Sequence, residues 1–416
     1  MSTFAGPTSS WQEGATPHSP RPSRQHVVII GGGIVGLAVA RELTARGARV
    51  TLCEKEERWG AHQTGHNSQV AHAGVYYSPG SAKARLAVAG NRSIVAYAKD
   101  HGVAVKECGK LIVATAPSEL ARLEELAARA AANGVPARLI GRHEALEIEP
   151  HVACLKALHV TSTASVDFPG ICAAMVEELT AAGADLRLKT PALGIRQRSG
   201  RVEVATEAGL IRADRLVNCA GLHADRIAGM AGLHPAVQIV PFRGEYYQLR
   251  PSAQHLVNGL VYPVPDPTLP FLGVHLTRML DGTVHAGPNA VLALAREGYR
   301  WQDISLHDLW AAARYPGLWR LAKHYPRTAV DEVARSFSRR RFAASLARLV
   351  PAIEAADIIP AGSGVRAQAL RPDGSLVDDF LHVRAHRQVH VLNAPSPAAT
   401  AALEIARHIA DETLQD

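Results

Sequence analysis

Residues 26–54 read His26-Val-Val-Ile-Ile-Gly-Gly-Gly-Ile-Val-Gly36-Leu-Ala-Val-Ala-Arg-Glu-Leu-Thr-Ala-Arg-Gly47-Ala-Arg-Val-Thr-Leu-Cys-Glu54. Val27 to Ile30 form an unbroken apolar run, the pattern of a strand buried on both faces of a parallel sheet. The glycines Gly31-x-Gly33-x-x-Gly36 follow at once. Leu37, Val39, Ala40 and Leu43 then recur at helical spacing opposite Arg41, Glu42 and Arg46, and Gly47 stands where a helix ends. Arg49 to Cys53 is a second strand, closing on Glu54. A glycine triplet alone is a weak signal. Between a strand and a helix, with an acid 21 residues after Gly33, it predicts a βαβ unit that binds an ADP-containing dinucleotide. The first glycine permits the turn, the second lets backbone N–H groups approach a pyrophosphate, and the third lets helix and strand pack closely. Ile34 and Val35 open the helix whose positive end faces the phosphates, and Glu54 is placed to accept hydrogen bonds from ribose hydroxyls.

Outward from this unit, composition sets bounds. The chain has 416 residues, 47% hydrophobic and 20% charged, which suits two or three folded domains and excludes a disordered regulator. Only 5% of residues are aromatic, which disfavours base stacking on single-stranded nucleic acid, and no nucleic-acid partner is expected. The formal charge of +7 is spread thinly, with Arg339-Arg340-Arg341 the longest basic run, so it fits an anionic small molecule or a membrane surface as well as nucleic acid and decides nothing alone. Cys53, Cys108, Cys154, Cys172 and Cys219 form no C-x-x-C pair and read as reduced thiols of a cytosolic protein. The first 25 residues carry no apolar run and are expected to be a disordered tail. No stretch is long and apolar enough to span a membrane.

A second glycine pattern, Gly362-Ser-Gly364-Val-Arg-Ala367, leads into a turn at Arg371-Pro-Asp-Gly374 and not into an apolar helix, so one dinucleotide site is expected. Helices are predicted from about Ser81 to Lys99, from Ser118 to Asn133 and across about Leu306 to Pro351. Further strands are predicted at Lys110 to Thr115, near Leu186 to Leu188 and at Leu216 to Cys219, with a hairpin across Gly200. An antiparallel sheet is expected over 236–290.

The first site alone leaves NAD or FAD open. The segment Gly60-Ala-His-Gln-Thr-Gly-His-Asn-Ser-Gln-Val-Ala-His-Ala-Gly-Val-Tyr-Tyr-Ser-Pro-Gly80 resembles the signature of the L-2-hydroxyglutarate dehydrogenases and oxidases, FAD enzymes of the D-amino-acid-oxidase-like superfamily. The likeness continues in Cys108 to Ala114, Val240 to Tyr246, Tyr262 to His275, Gly287 to Leu292, Gly364 to Leu370 and Asn393 to Thr400. It implies FAD and an α/β fold in which a Rossmann-type FAD-binding domain is interleaved with a mixed or antiparallel-sheet substrate domain. The expected bounds are 26–90, 150–235 and 355–416 for the FAD domain, and 91–149 and 236–354 for the substrate domain. The likeness further implies that Thr64, Asn67 and Ser68 lie along the cofactor, that Ala220-Gly221 approach it, and that Ala398-Ala399-Thr400 start a helix aimed at the flavin. Gln69 departs from the family's small residue and, if it faces the flavin, would reshape the pocket.

The activity so implied is oxidation of L-2-hydroxyglutarate to 2-oxoglutarate, with electrons passed to a quinone or to oxygen. Another small hydroxy or amino acid is the alternative substrate. The reaction needs a base near the flavin and cations for two carboxylates. His72, in the flavin-adjacent segment, is the first candidate for the base and His275 the second. Arg366, in a Gly-Val-Arg element like the superfamily's carboxylate-binding arginine, offers a two-point fork. Arg243 and Arg278 are candidates for the second carboxylate, and Tyr262 with the prolines at 263, 265, 267 and 270 for a stiff pocket wall. The spacing His62-x3-His66 also suits zinc, but no carboxylate or cysteine is placed to complete a tetrahedral site, so no metal is expected. Peripheral contact with a membrane carrying the quinone fits the family.

Overall fold

The computed structural model describes residues 25–266 and 273–415. Residues 1–24 of the expected tail, and Pro267, Pro270 and Phe271, lie outside them; Gln25 is described, its carbonyl accepting from Arg49 N–H at 3.0 Å. In chain order the elements used below are β1 (His26–Ile30), α1 (Ile34–Ala45), β2 (Arg49–Cys53), α2 (Ala82–Asp100), β3 (Lys110–Ala114), α3 (Leu120–Ala132), β4 (Ala137–Gly141), β5 (Lys156–Val160), α4 (Phe168–Ala181), β6 (Asp185–Arg187), β7 (Gly194–Arg198), β8 (Arg201–Thr206), β9 (Gly209–Ala213), β10 (Arg215–Asn218), β11 (Gln238–Leu249), β12 (Leu260–Pro263), β13 (His275–Arg278) and β14 (Val284–Gly287). They continue with α5 (Leu306–Ala313), α6 (Pro316–His324), α7 (Pro326–Phe337), α8 (Arg339–Ala347), β15 (Ile358–Leu370), β16 (Leu381–Ala385), β17 (Gln388–Asn393) and α9 (Ala402–Leu414).

Among the described residues the first sheet runs β16-β17-β10-β1-β2-β6. Its strands from β17 to β6 are parallel, and antiparallel β16 covers one edge. The apolar run Val27 to Ile29 is completely buried, as a strand covered on both faces requires. One face is packed by α1, α4 and α9, with Leu37, Leu43, Ile171, Met175, Ile405 and Ile409 in a single core. Truncating Leu37 to alanine there should cost about 2–5 kcal/mol. The other face is covered by the small antiparallel sheet β7-β8-β9, which includes the hairpin turning at Gly200.

The second, larger sheet runs β11-β14-β13-β12-β3-β5-β4, with β15 paired along β11. The antiparallel pairing expected over 236–290 is present, with one parallel seam between β12 and β3. Two expected bounds move. Residues 156–160 fall within the segment expected for the FAD domain, but β5 hydrogen-bonds between β3 and β4 in the large sheet. Likewise Gly362 to Ala367, within the expected segment 355–416, is the middle of β15, antiparallel to β11. Such memberships are set by partners far away in sequence, which local pattern does not report.

Candidate active site

The carboxyl ends of β1, β2, β10 and β17 open on one cavity of about 900 Å³, where a doubly wound sheet places its ligand. The floor is the turn after β1. Gly31 has φ +108°, and a Cβ there would sit 2.4 Å from the Cys219 carbonyl oxygen; a Cβ on Gly36 would sit 1.9 Å from the Gly31 oxygen. Gly36 therefore serves helix-to-turn packing and does not itself face the cavity. Gly33 differs: a Cβ there would meet only Thr64 Oγ1, at 3.4 Å, so its backbone stands open to a phosphate. Gly31, Gly33, Ile34 and Val35 all line the cavity.

Glu54 closes β2 with both carboxylate oxygens fixed, one accepting from Gly32 N–H at 2.7 Å and the other from Glu56 N–H at 2.9 Å. Each oxygen keeps a lone pair for a ribose hydroxyl. Thr64 Oγ1 accepts from Ile34 N–H at 3.1 Å, and the Asn67 amide donates to the Thr64 carbonyl at 2.7 Å. These bonds hold Thr64, Asn67 and Ser68 along one wall, and Ala220-Gly221 follow β10 on the floor. Opposite, Thr400 Oγ1 accepts from His72 N–H at 3.1 Å and donates to the Val70 carbonyl at 3.4 Å. Ala398 and Ala399 line the cavity, but the helix begins later than expected, at Ala402. The open Gly33, the fixed Glu54 and a cavity reached by four strand ends fit an FAD.

The far end of the cavity is built by the large sheet. His275 on β13, Tyr262 on β12, Tyr246 on β11 and Arg366 on β15 meet His72 and Tyr76 there. The His275 ring stacks on Tyr262 at 4.0 Å between centroids. Its Nδ1 lies 3.1 Å from the Gly273 carbonyl, an acceptor only, so Nδ1 carries the proton and Nε2 the free lone pair. Burial, with Arg366 and Lys110 adding to it against the Gly273 bond, holds the His275 pKa down to about 3. Burial and the charges of Lys110, His275 and Lys83 hold His72 down to about 3 as well. Both imidazoles are neutral at pH 7, the form that accepts a proton.

Two sequence candidates are not at this wall. Along β11, Gly244 and Tyr246 face the cavity, so Arg243 faces the other way. Arg243 is fully buried, paired with Glu245 at 2.9 Å and stacked over Trp301 at 4.3 Å. Arg278 is three residues beyond His275 on β13 and points away. Its guanidinium donates to the carbonyls of Gly282 at 2.7 Å, and of Val257 and Gln254 at 2.6 Å. The assignment of either to a second carboxylate is corrected on this ground. Gln69 also turns away from the cavity. It has φ +58°, its N–H is held by Asn67 Oδ1, and its side-chain oxygen accepts from Leu280 N–H at 3.3 Å. His62 and His66 both lie against the Tyr299 ring, but their nitrogens take different partners: His62 meets Tyr299 Oη, Glu56 and Glu297, and His66 Nδ1 faces the Ser363 carbonyl.

Sequence reasoning missed Tyr246, Lys110 and the place of Lys83. Lys83 lines the cavity and donates to the Asp378 carbonyl at 2.8 Å. Lys110 had one visible signal: it is the single charge in the strand Lys110–Ala114, every residue of which is buried.

This is the cofactor cleft and substrate chamber of a flavin-dependent oxidoreductase. The profile of the FAD dependent oxidoreductase family matches residues 26–412, and the chain belongs to that family. Within it, the chain is similar to the L-2-hydroxyglutarate dehydrogenases. It is 42% identical to that of Escherichia coli K12 over 385 residues, covering 92% of this chain and 91% of the other. It is 41% identical to the human mitochondrial one over 409 residues, covering 94% and 88%. Among solved structures, FAD-bound L-alpha-glycerophosphate oxidase of Mycoplasma pneumoniae superposes with a TM-score of 0.78 at 22% identity, over 94% of this chain and 95% of that one. Glycine oxidase of Geobacillus kaustophilus gives 0.70 at 21%, over 93% and 94%. These last two likenesses speak to the fold.

Proposed function

We propose that the protein oxidises L-2-hydroxyglutarate to 2-oxoglutarate. The observation that carries this reading is the chamber wall itself, where two neutral imidazoles and the Arg366 guanidinium meet beside the flavin cleft. The similarity to proteins named for this reaction supports the same substrate. Bound FAD supplies the hydride acceptor for the hydrogen on C2. Arg366 grips the C1 carboxylate in a fork and so orients C2. His275 Nε2, its tautomer fixed by Gly273, takes the hydroxyl proton; His72 lines the same cavity as the second imidazole. The closed wall of Tyr76, Tyr246 and Tyr262 keeps water from the reacting carbon.

Anaerobic addition of L-2-hydroxyglutarate should bleach the flavin spectrum while the D enantiomer and glycine do not. Bleaching by an amine alone would end this reading. His275→Asn should slow reduction roughly 10²–10⁴-fold. The electrons then pass to a quinone or to oxygen, and reoxidation by each in stopped flow tells which. A quinone in a bilayer requires peripheral attachment, and helices α5 to α7 support it. Leu306, Trp310, Trp319, Val330 and Phe337 are exposed there beside Arg314, Arg320 and Lys323, while no helix among the described residues is long and apolar enough to cross a membrane. Sedimentation with phosphatidylglycerol vesicles, lost in Trp319→Ser with Phe337→Ser, tests this face.

A further inference from the structure

We propose that Lys110, caged between Tyr76 and Tyr262, is the cationic seat for the second carboxylate of a five-carbon dicarboxylate whose first carboxylate Arg366 holds. The inference rests on the substrate reading above and supplies the partner that Arg243 and Arg278 do not. Lys110 is 2% exposed, and its Nζ lies 4.6 Å from the Tyr76 ring centre and 4.7 Å from that of Tyr262. Two aromatic faces stabilise an ammonium only in part. Among the described residues no carboxylate pairs with Lys110, and burial pushes its pKa down to about 7. A buried cation in this state is incomplete without an anion.

The surroundings fit an incoming carboxylate. Lys110 does not itself line the cavity, but the two tyrosines whose rings it meets do, and Tyr76 Oη and His72 Nδ1 are buried polar atoms without a hydrogen-bond partner among the described residues. Tyr76 Oη can donate to an ionised carboxylate, which only accepts. Lys110 and Arg366 both act electrostatically on His275, and His275 and Arg366 line the same cavity. In the proposed seating a chain with a carboxylate at each end brings its hydroxyl-bearing carbon to His275. A monocarboxylate would satisfy Arg366 and leave Lys110 bare, so the pair selects for diacids.

The groups around Lys110 set how pH acts. His72 and His275 stay neutral, Tyr76 and Tyr262 are pushed further up and stay protonated, and Arg366 stays charged. Lys83 is the other lysine near the wall, lowered by burial against the pull of Asp378 and Asp379. The seat is thus charged below about pH 7 and loses its charge above it.

The test is equilibrium binding to the FAD-loaded enzyme, read as perturbation of the flavin absorbance by glutarate and by butyrate, neither of which can be oxidised at a hydroxyl. Wild type should prefer glutarate. Lys110→Met should lose roughly ten- to a hundredfold in glutarate affinity with butyrate unchanged, and Lys110→Arg should keep part of the preference. Wild-type glutarate affinity should weaken from about pH 7 upward, and the methionine variant should lack that step. Removing a buried unpaired charge should also raise the melting temperature of the ligand-free holoenzyme at pH 6, which separates lost binding from misfolding. A wild type without preference for glutarate would overturn the dicarboxylate reading and the seat together. A preference that survives in Lys110→Met, or equal losses for both acids, would overturn the seat alone.

Discussion

At His275 a single hydrogen bond decides a chemical role. With Nδ1–H committed to the Gly273 carbonyl, Nε2 is left as an acceptor. The same burial that holds both imidazoles near a pKa of about 3 fixes the sign of the acid limb. An ordinary histidine would protonate below about pH 6.5 and stop acting as a base. Here the base form persists, so the rate of flavin reduction at saturating substrate should stay flat down to about pH 5. A fall centred near pH 6.5 would show an imidazole exposed to water. Gln69, with its side chain held at Leu280, calls for the opposite expectation. Gln69→Ala should leave the ranking of hydroxy-acid substrates unchanged in the same reduction assay.

The glycines after β1 show how two residues in one element separate folding from cofactor capture. Gly33→Ala adds a methyl that meets only Thr64 Oγ1, and projects where a phosphate approaches. The variant should fold, with an unchanged far-ultraviolet spectrum, and purify with little flavin. Gly36→Val drives side-chain atoms into the Gly31 carbonyl, so it should fail to accumulate as soluble protein. This element was legible in the sequence because strand, turn, helix and strand fall within residues 26–54 and each signal is local. The large sheet was not legible in the same way. Whether Arg243 or Gly244 faces the chamber depends on strand parity, and a strand buried on both faces carries no polar alternation to reveal it. Lys110 was hidden for a related reason: its meaning comes from Tyr76 and from Tyr262, and Tyr262 joins it only when β12 pairs in parallel with β3.

Across the molecule, the flavin sheet is tied to the large sheet and its helical flank at Asp225. Its carboxylate takes the Arg296 guanidinium in a two-point pair, with side chains 8% and 4% exposed, and also accepts from Ile239 N–H at 3.0 Å on β11. Arg296 in turn lies beside Asp308 of α5 through its own N–H, at 2.8 Å. Removing one partner of such a pair leaves a buried charge and should cost about 3–5 kcal/mol. Asp225→Ala should therefore lower the melting temperature by several degrees, and Asp225→Asn by less. Equal melting of all three proteins would mean that the two layers do not depend on this tie.

The Thr400 hydroxyl joins Val70 and His72, more than three hundred positions earlier in the chain, and β17 stands only one strand away from β1 in the flavin sheet. During synthesis the glycine turn leaves the ribosome early, but the wall from Ala394 to Thr400 leaves among the last. The nascent chain can thus form its first βαβ unit and the hairpins of the large sheet while the cleft still lacks a side. A complete flavin berth requires β17 and the segment from Ala394 to Thr400 to dock, so cofactor loading waits on residues more than three hundred positions downstream of the glycine turn. A chain released before residue 388 would be expected to expose the sheet edge beside β10 and to be cleared without ever becoming yellow.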